Sequence, residues 1–413
     1  MGHASGEELG GIKQVPIVRP EGLPEEKFLQ EVRGILASRQ LTNGSQVREL
    51  EEASAAYLRV EHCVAVSSCT LGLLLTLRAL DLRGEVIVPS FTFHATAHSI
   101  VWNGLKPVFA DCDPQTFCID ADSAREKITS RTSAIVAVHM FGCPAAVSRL
   151  EKISRDYGIP LIFDAAHAFG SKLDEKHVGG FGAAEVFSFS PTKLVVAGEG
   201  GLITTRDAAL ARRLRVARNY GDAGDSDPEV LGLNARMSEI HAALALQGLG
   251  GVCARIERRN EIRREYRRQL KSVPGIQFQE MEQGSRSACK DMSLLVNDVE
   301  FGNTRDWLRL FLGEHHIETR RYFWPSVHQQ KLYRDVWDGQ PLPVTERVAQ
   351  QVLNLPIYSS LSDEEVARIC ETVHRAFELA QRQQCGGHGQ RRIPKANVRL
   401  LVAAKRAAQR GPQ

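Results

Sequence analysis

No stretch of this chain is apolar over the ~18 residues that a membrane-spanning helix requires. Residues 1–13 are polar and glycine-rich, without the basic-then-apolar order of a secretory signal. Met1-Gly2 is not followed by the Ser or Thr that N-myristoylation needs, because Gly6 stands there. Nine cysteines are present, yet no Cys-x-x-Cys pair occurs, and the Cys63/Cys69 and Cys112/Cys118 spacings match no zinc site. Reduced thiols and a cytoplasmic location are expected, with no metal and no membrane contact. No Gly-x-Gly-x-x-Gly follows the first strand, which leaves a nicotinamide oxidoreductase without support. No internal repeat is found.

Positive charge is also scarce where a nucleic acid would need it. The net charge is +3, but the segment from Gln383 onward carries seven basic residues and no acid, leaving −4 for the rest. The body therefore has no basic bias, and no nucleic-acid partner is expected. The tail reads as a disordered extension with a short helix near 398–409.

What is present is ordinary for a globular protein: 43% hydrophobic and 24% charged residues over 413 positions. That length suits two domains of about 100–200 residues each. Short apolar runs alternate with helical patterns up to about residue 250. Strands are expected at 63–66, 86–89, 107–110, 134–139, 160–164, 186–189 and 202–205, with helices at 71–80, 96–103, 146–157 and 208–218. Strands apolar on both faces and separated by helices predict an α/β fold with a mostly parallel sheet. Helices at 237–249 and 254–271 close this unit. A smaller α+β segment follows, with a strand at 293–296 and helices at 304–314 and 363–381. The expected division is a flexible start (1–14), a large domain (15–255), a small domain (256–382) and the tail (383–413).

In parallel sheets the site lies beyond the carboxyl ends of the strands, where the unusual polar residues of this chain fall. Ser188-Phe-Ser-Pro-Thr-Lys193, followed by Gly198-Glu-Gly-Gly201, places a lysine in a turn between two strands, five residues after a hydroxyl. Such a lysine can hold an aldehyde cofactor as a Schiff base, although a solvated surface lysine is the commoner event. Val64-Ala-Val-Ser-Ser-Cys-Thr70 runs into a helix and offers amide groups to a phosphate, or simply an N-cap. Asp164 ends an apolar strand and is costly there unless it faces a cation such as a pyridinium nitrogen. His167 lies three residues on, as a hydrogen-bond donor or a structural histidine. Phe93, in Pro89-Ser-Phe-Thr-Phe93, can stack on a flat ring or join the core.

These motifs occur in order, together with Gly232-Leu-Asn-Ala-Arg-Met-Ser-Glu239 and Leu355-Pro-Ile-Tyr-Ser-Ser-Leu-Ser-Asp-Glu-Glu365. In that combination the chain resembles the pyridoxal-phosphate-dependent sugar aminotransferases of the DegT/DnrJ/EryC1/StrS family over about residues 15–380. The resemblance implies the aspartate-aminotransferase fold (fold type I) and a homodimer with shared sites. It implies pyridoxal 5'-phosphate on Lys193, with Asp164 at the ring nitrogen, His167 at the phenolic oxygen and Phe93 stacked on the ring. Cys69, Thr70 and Ser188 would hold the phosphate, and Asn234 would reach it from the neighbouring subunit. Lys193 would also carry the proton between carbon atoms.

The family pattern further implies a keto group on a nucleotide-linked deoxyhexose as acceptor and glutamate as donor, in sugar, antibiotic or cell-surface glycan biosynthesis. Val18-Arg-Pro20 and Leu41-Thr-Asn-Gly44 resemble its N-terminal substrate loop, and Arg320-Arg-Tyr-Phe-Trp-Pro325 with His328 resembles the stretch closing over the sugar. Arg19, Asn43, Tyr322, Trp324 and His328 are the substrate-binding candidates, with a small-domain core strand the alternative for 322–324. Ser287-Ala-Cys-Lys290 departs from the pattern by lacking an aromatic before the lysine, so a cyclitol or another ketone stays open as acceptor. A dehydratase of the same family would carry histidine in place of Lys193. A non-catalytic cofactor-binding regulator remains the reading from another class.

Overall fold

The computed structural model describes residues 13–20 and 25–385. The expected flexible start up to residue 12 and the basic tail beyond 385, with its short helix, lie outside these residues.

Seven strands form the central sheet in the spatial order His62–Val66, Gly201–Thr205, Ala184–Ser188, Leu161–Asp164, Thr132–Val138, Glu85–Pro89 and Lys106–Ala110. Each expected strand is present, its ends shifted by at most two residues. Neighbours run parallel except at Gly201–Thr205, which is antiparallel to both strands beside it. The sequence of these strands is rich in Val, Ile, Phe and Ala and is buried almost throughout, because helices cover both faces.

The helix Val147–Tyr157 shows how one connection is built. Val147, Leu150 and Ile153 recur on one face and are buried, each large side chain contributing roughly 1.5–3 kcal/mol by leaving water. Gly158, at φ 65°, ends the helix in the left-handed conformation that a Cβ disfavours.

A second core gathers around the three-stranded antiparallel sheet Ile276–Phe278, Met292–Val296 and Val352–Leu355. The helices Arg305–Glu314 and Asp363–Cys385 pack there, and so does Val15, which bridges to Ile317. The long helix Val252–Leu270 feeds both cores, Val252 and Ile256 into the first and Ile262, Tyr266 and Leu270 into the second.

Two helices that the sequence reading leaves out, Glu25–Ser38 and Ser45–Leu58, precede the sheet. The second starts after Gly44, which has no capping side chain. The buried carboxylate of Glu239 takes that role, accepting the amides of Gly44 (2.7 Å), Gln46 (2.8 Å) and Val47 (3.2 Å). Eight cysteines, Cys63 through Cys370, are free thiols, and of these only Cys253 is exposed. No helix of these residues is long and apolar enough to cross a membrane.

Candidate active site

Four parallel strands deliver their carboxyl ends to one edge of the sheet. His62–Val66 leads to Ser67 and the helix Cys69–Ala79, and Glu85–Pro89 leads to Phe93 and the helix His94–Trp102. Leu161–Asp164 ends on Asp164, and Ala184–Ser188 leads into the turn carrying Lys193.

Asp164 is 5% exposed. Its Oδ2 accepts from Thr96 Oγ1 at 2.7 Å and its Oδ1 from the Ala166 amide at 3.0 Å. Burial pushes this carboxyl above the ordinary range against the pull of those donors and of Lys193. The group is thus a buried acid in need of a cation. Lys193 is half-buried, and its ammonium is pushed down to about 8 by burial first and by Lys290 next.

His167 accepts the Phe141 amide at Nδ1 (3.3 Å), so Nε2 carries the proton and is free to donate. Burial, Lys193 and Lys290 all lower its pKa, which keeps the ring neutral. Its ring lies nearly parallel to those of Phe141 and Phe323, and Phe323 in turn meets Phe93 at 5.9 Å. Phe93 keeps 48% of its surface exposed, a free face at the mouth of the site.

The start of the helix Cys69–Ala79 supplies an anion site. Ser68 is the N-cap and accepts the Leu71 amide at 3.2 Å. Ser67 Oγ is buried without a partner, and Thr70 is exposed. Ser188 Oγ lies 3.4 Å from Ser190 Oγ. Gly201 lies against this turn so closely that a Cβ would stand 2.7 Å from the Cys69 amide nitrogen and 2.8 Å from the Phe187 carbonyl. We expect Gly201→Ala to cost about 1–3 kcal/mol of stability through overpacking and to weaken phosphate binding, read by thermal unfolding and by cofactor titration.

The remaining candidates have the following surroundings. Asn234 is exposed and accepts from Arg236 Nε at 3.2 Å, while the next residue, Ala235, accepts the Ser67 amide at 2.9 Å. Arg19 sits over the Tyr358 ring at 5.1 Å. Asn43 has a buried Oδ1 without a partner and lines a cleft of about 320 Å³ with Arg212, Arg218 and Asn219. The Tyr322 amide donates to Asn354 Oδ1 at 2.8 Å, and the Tyr322 ring meets Phe323 at 5.4 Å. Trp324 lies beneath Arg321 at 4.3 Å. His328 is fully buried between Ser90 Oγ (2.6 Å) and Glu346 Oε1 (3.4 Å).

Thr96, Phe141, Phe323 and the Lys290–Asp291 pair carry no role in the sequence reading. A hydroxyl in the first turn of the helix after Phe93 is a signal that could have drawn attention to Thr96. Phe323 and Lys290 lie in the quoted stretches 320–325 and 287–290 without a role assigned to them individually, whereas Phe141 and Asp291 lie outside every motif quoted above.

The assembled set is a nucleophilic amine, a buried acid, a neutral donor and a helix N-terminus. It suits a flat, phosphate-bearing aldehyde with a basic ring nitrogen. A family model described as the DegT/DnrJ/EryC1/StrS aminotransferase family matches residues 24–374. The chain belongs to that family. It is 35% identical to dTDP-4-amino-4,6-dideoxy-D-glucose transaminase of Escherichia coli over 364 residues, covering 86% of this chain and 97% of that protein. GDP-perosamine synthase of Escherichia coli O157:H7 is 32% identical over 371 residues, covering 89% and 99%. The solved structure of DesI in the presence of its TDP-sugar product aligns with a TM-score of 0.84 at 37% identity, covering 90% of this chain and 96% of that one. The chain is accordingly an aminotransferase of fold type I, as its motifs imply.

Proposed function

We propose that this enzyme moves an amino group from glutamate to a keto carbon of a nucleotide-linked deoxyhexose, using pyridoxal phosphate at a site completed by a second subunit. The observation that carries the cofactor reading is the buried Asp164 carboxylate, which burial raises for want of a cation and which lies near the neutralisable Lys193. The orphaned Ser67 hydroxyl and the tight Gly201 cradle at a helix N-terminus fit a phosphate.

When bound, the cofactor would supply an electron sink that acidifies the C–H beside the transferred nitrogen. Lys193 Nζ, in its neutral form, would take that proton and return it to the neighbouring carbon. Asp164, its carboxylate fixed by Thr96, would hold the proton on the ring nitrogen. His167 Nε2–H would donate to the ring oxygen, and the exposed face of Phe93 would stack on the ring. Exposed Asn234, braced by Arg236, is available to a second copy of the chain.

The sugar reading is supported by the relatives, whose names specify dTDP-, GDP- and TDP-linked sugars. We expect glutamate to convert the purified enzyme's absorbance from the pyridoxal to the pyridoxamine form. A dTDP-linked 4-keto-6-deoxyhexose should then reverse it, with the amino sugar identified by mass. A spectrum unmoved by glutamate would point to a cofactor-binding regulator. Reversal only by a cyclitol ketone would replace the acceptor.

A further inference from the structure

Thr92 and Thr96 stand on either side of Phe93, where the strand Glu85–Pro89 turns into the helix His94–Trp102. This one turn sends its side chains two ways. Phe93 keeps nearly half its surface exposed, whereas Thr92 and Thr96 are 1% and 0% exposed. A buried threonine of a helix commonly gives its hydroxyl proton to the carbonyl four residues back. Thr76 does so with Gly72 at 2.8 Å, and Thr372 with Arg368 at 2.7 Å. Thr96 is engaged differently. Its Oγ1 donates to Asp164 Oδ2 at 2.7 Å and meets the Thr92 hydroxyl, Oγ1 to Oγ1, at 3.0 Å.

Chemistry fixes the direction of this chain. A carboxylate only accepts and a hydroxyl has one hydrogen, so Thr96 spends its hydrogen on Asp164 and must accept from Thr92. Each link then polarises the next towards the charge. When Oδ2 takes up a proton, both hydroxyls rotate and the chain runs the other way, with no heavy atom displaced. Oδ1 keeps the Ala166 amide in either state. We propose that Thr92 is a positioning residue for Asp164: acting through Thr96, its hydroxyl stabilises the ionised carboxylate and turns round to accept when the carboxyl is neutral. The ionised arrangement gains more, because a hydrogen bond to a charge is about twice as strong as a neutral one. The other groups facing Asp164 do not replace this pair. The Cys69 thiol, 4.0 Å from Oδ1, is kept protonated by burial. Lys193 and His139 pull the carboxyl down less than Thr96 and Ala166 do, and His139 is itself paired with Glu185 at 3.1 Å.

The inference rests on the function proposed above only for the cation that Asp164 would hold. Its first test uses the full chain stripped of cofactor. The Asp164 carboxylate stretch is followed by infrared difference spectroscopy across a pH series, with carbon-13 in the aspartate carboxyls and the band assigned by its loss in Asp164→Asn. Thr92→Val keeps the shape and removes the donor, so the titration midpoint should rise by about half a pH unit to one unit. In the loaded enzyme kcat should fall about 3–10-fold, the loss of one neutral hydrogen bond, while KM for the acceptor stays put. Thr92→Ser should restore both readings. In a Thr96→Val background Thr92→Val should add nothing, because the path to Asp164 is already broken. A midpoint that is unmoved or lowered in Thr92→Val, a folded serine variant that restores neither reading, or a full effect without Thr96 overturns the proposal. Should Thr92→Val fail to fold by thermal unfolding, Thr92→Ala is read in its place by the same criteria. A midpoint that shifts as stated, in a protein whose absorbance glutamate never moves, would refute the function proposed above and leave this role standing. Amino transfer by the parent, with an unmoved midpoint in Thr92→Val, overturns this role alone.

Discussion

Replacing Lys193 with alanine is expected to abolish covalent attachment of pyridoxal phosphate and to lower amino transfer on the order of 10⁴-fold, the upper range for a positioned acid–base group. The loss should reach the top of that range, because one amine serves both as the attachment point and as the proton carrier. Stability should not suffer in proportion. Burial and the neighbouring Lys290 already disfavour the ammonium at this position, so the native site works against the charge it holds. Absorbance and borohydride trapping read the attachment, product mass reads the transfer, and thermal unfolding reads the fold. Retention of the visible band in the alanine variant would remove the assignment of Lys193.

Asp164→Asn should separate activity from stability. Without its charge the side chain no longer holds a proton on the ring nitrogen, and transfer should fall about 10²–10⁴-fold. In the cofactor-free protein the sign reverses. The native carboxyl is raised by burial, so the folded state binds a proton more readily than the unfolded chain does. Its contribution to stability is therefore greatest in acid and is lost as pH rises through the raised value. At pH 7–8 the stripped Asn variant should melt no lower than the parent, while being nearly inactive when cofactor is restored. A stripped variant that melts well below the parent would mean that Asp164 serves the fold rather than the cofactor. Thr96→Val removes one hydrogen bond to the same carboxylate. It should cost about 1.5–3 kcal/mol in transition-state stabilisation, read as a smaller fall in kcat.

The fold of the large unit was readable because its physics is local. Runs such as Val86-Ile-Val-Pro89 have no polar face, so only a strand covered on both sides accommodates them. The residues that break the pattern, Asp164 above all, stand at strand ends, where the parallel arrangement collects them at one edge. Short elements were harder to read. The strands Ile276–Phe278 and Val352–Leu355 are too brief to show a period, and they form by pairing with Met292–Val296 from either side. Tyr322 and Trp324 show the same dependence, since their surroundings come from Asn354, Arg305 and Arg321.

By itself the order of residues determined the alternation of strand and helix, the lysine turn, the acid at a strand end and the family to which they belong. These depend on neighbours within a few positions along the chain. Tertiary structure alone decided that Glu239 caps a helix starting nearly two hundred residues earlier and that Thr96 grips Asp164. Each of those outcomes is a competition among charges and donors brought together from distant segments. In a desolvated interior the winner is set by distances of a few ångströms, which no local pattern records.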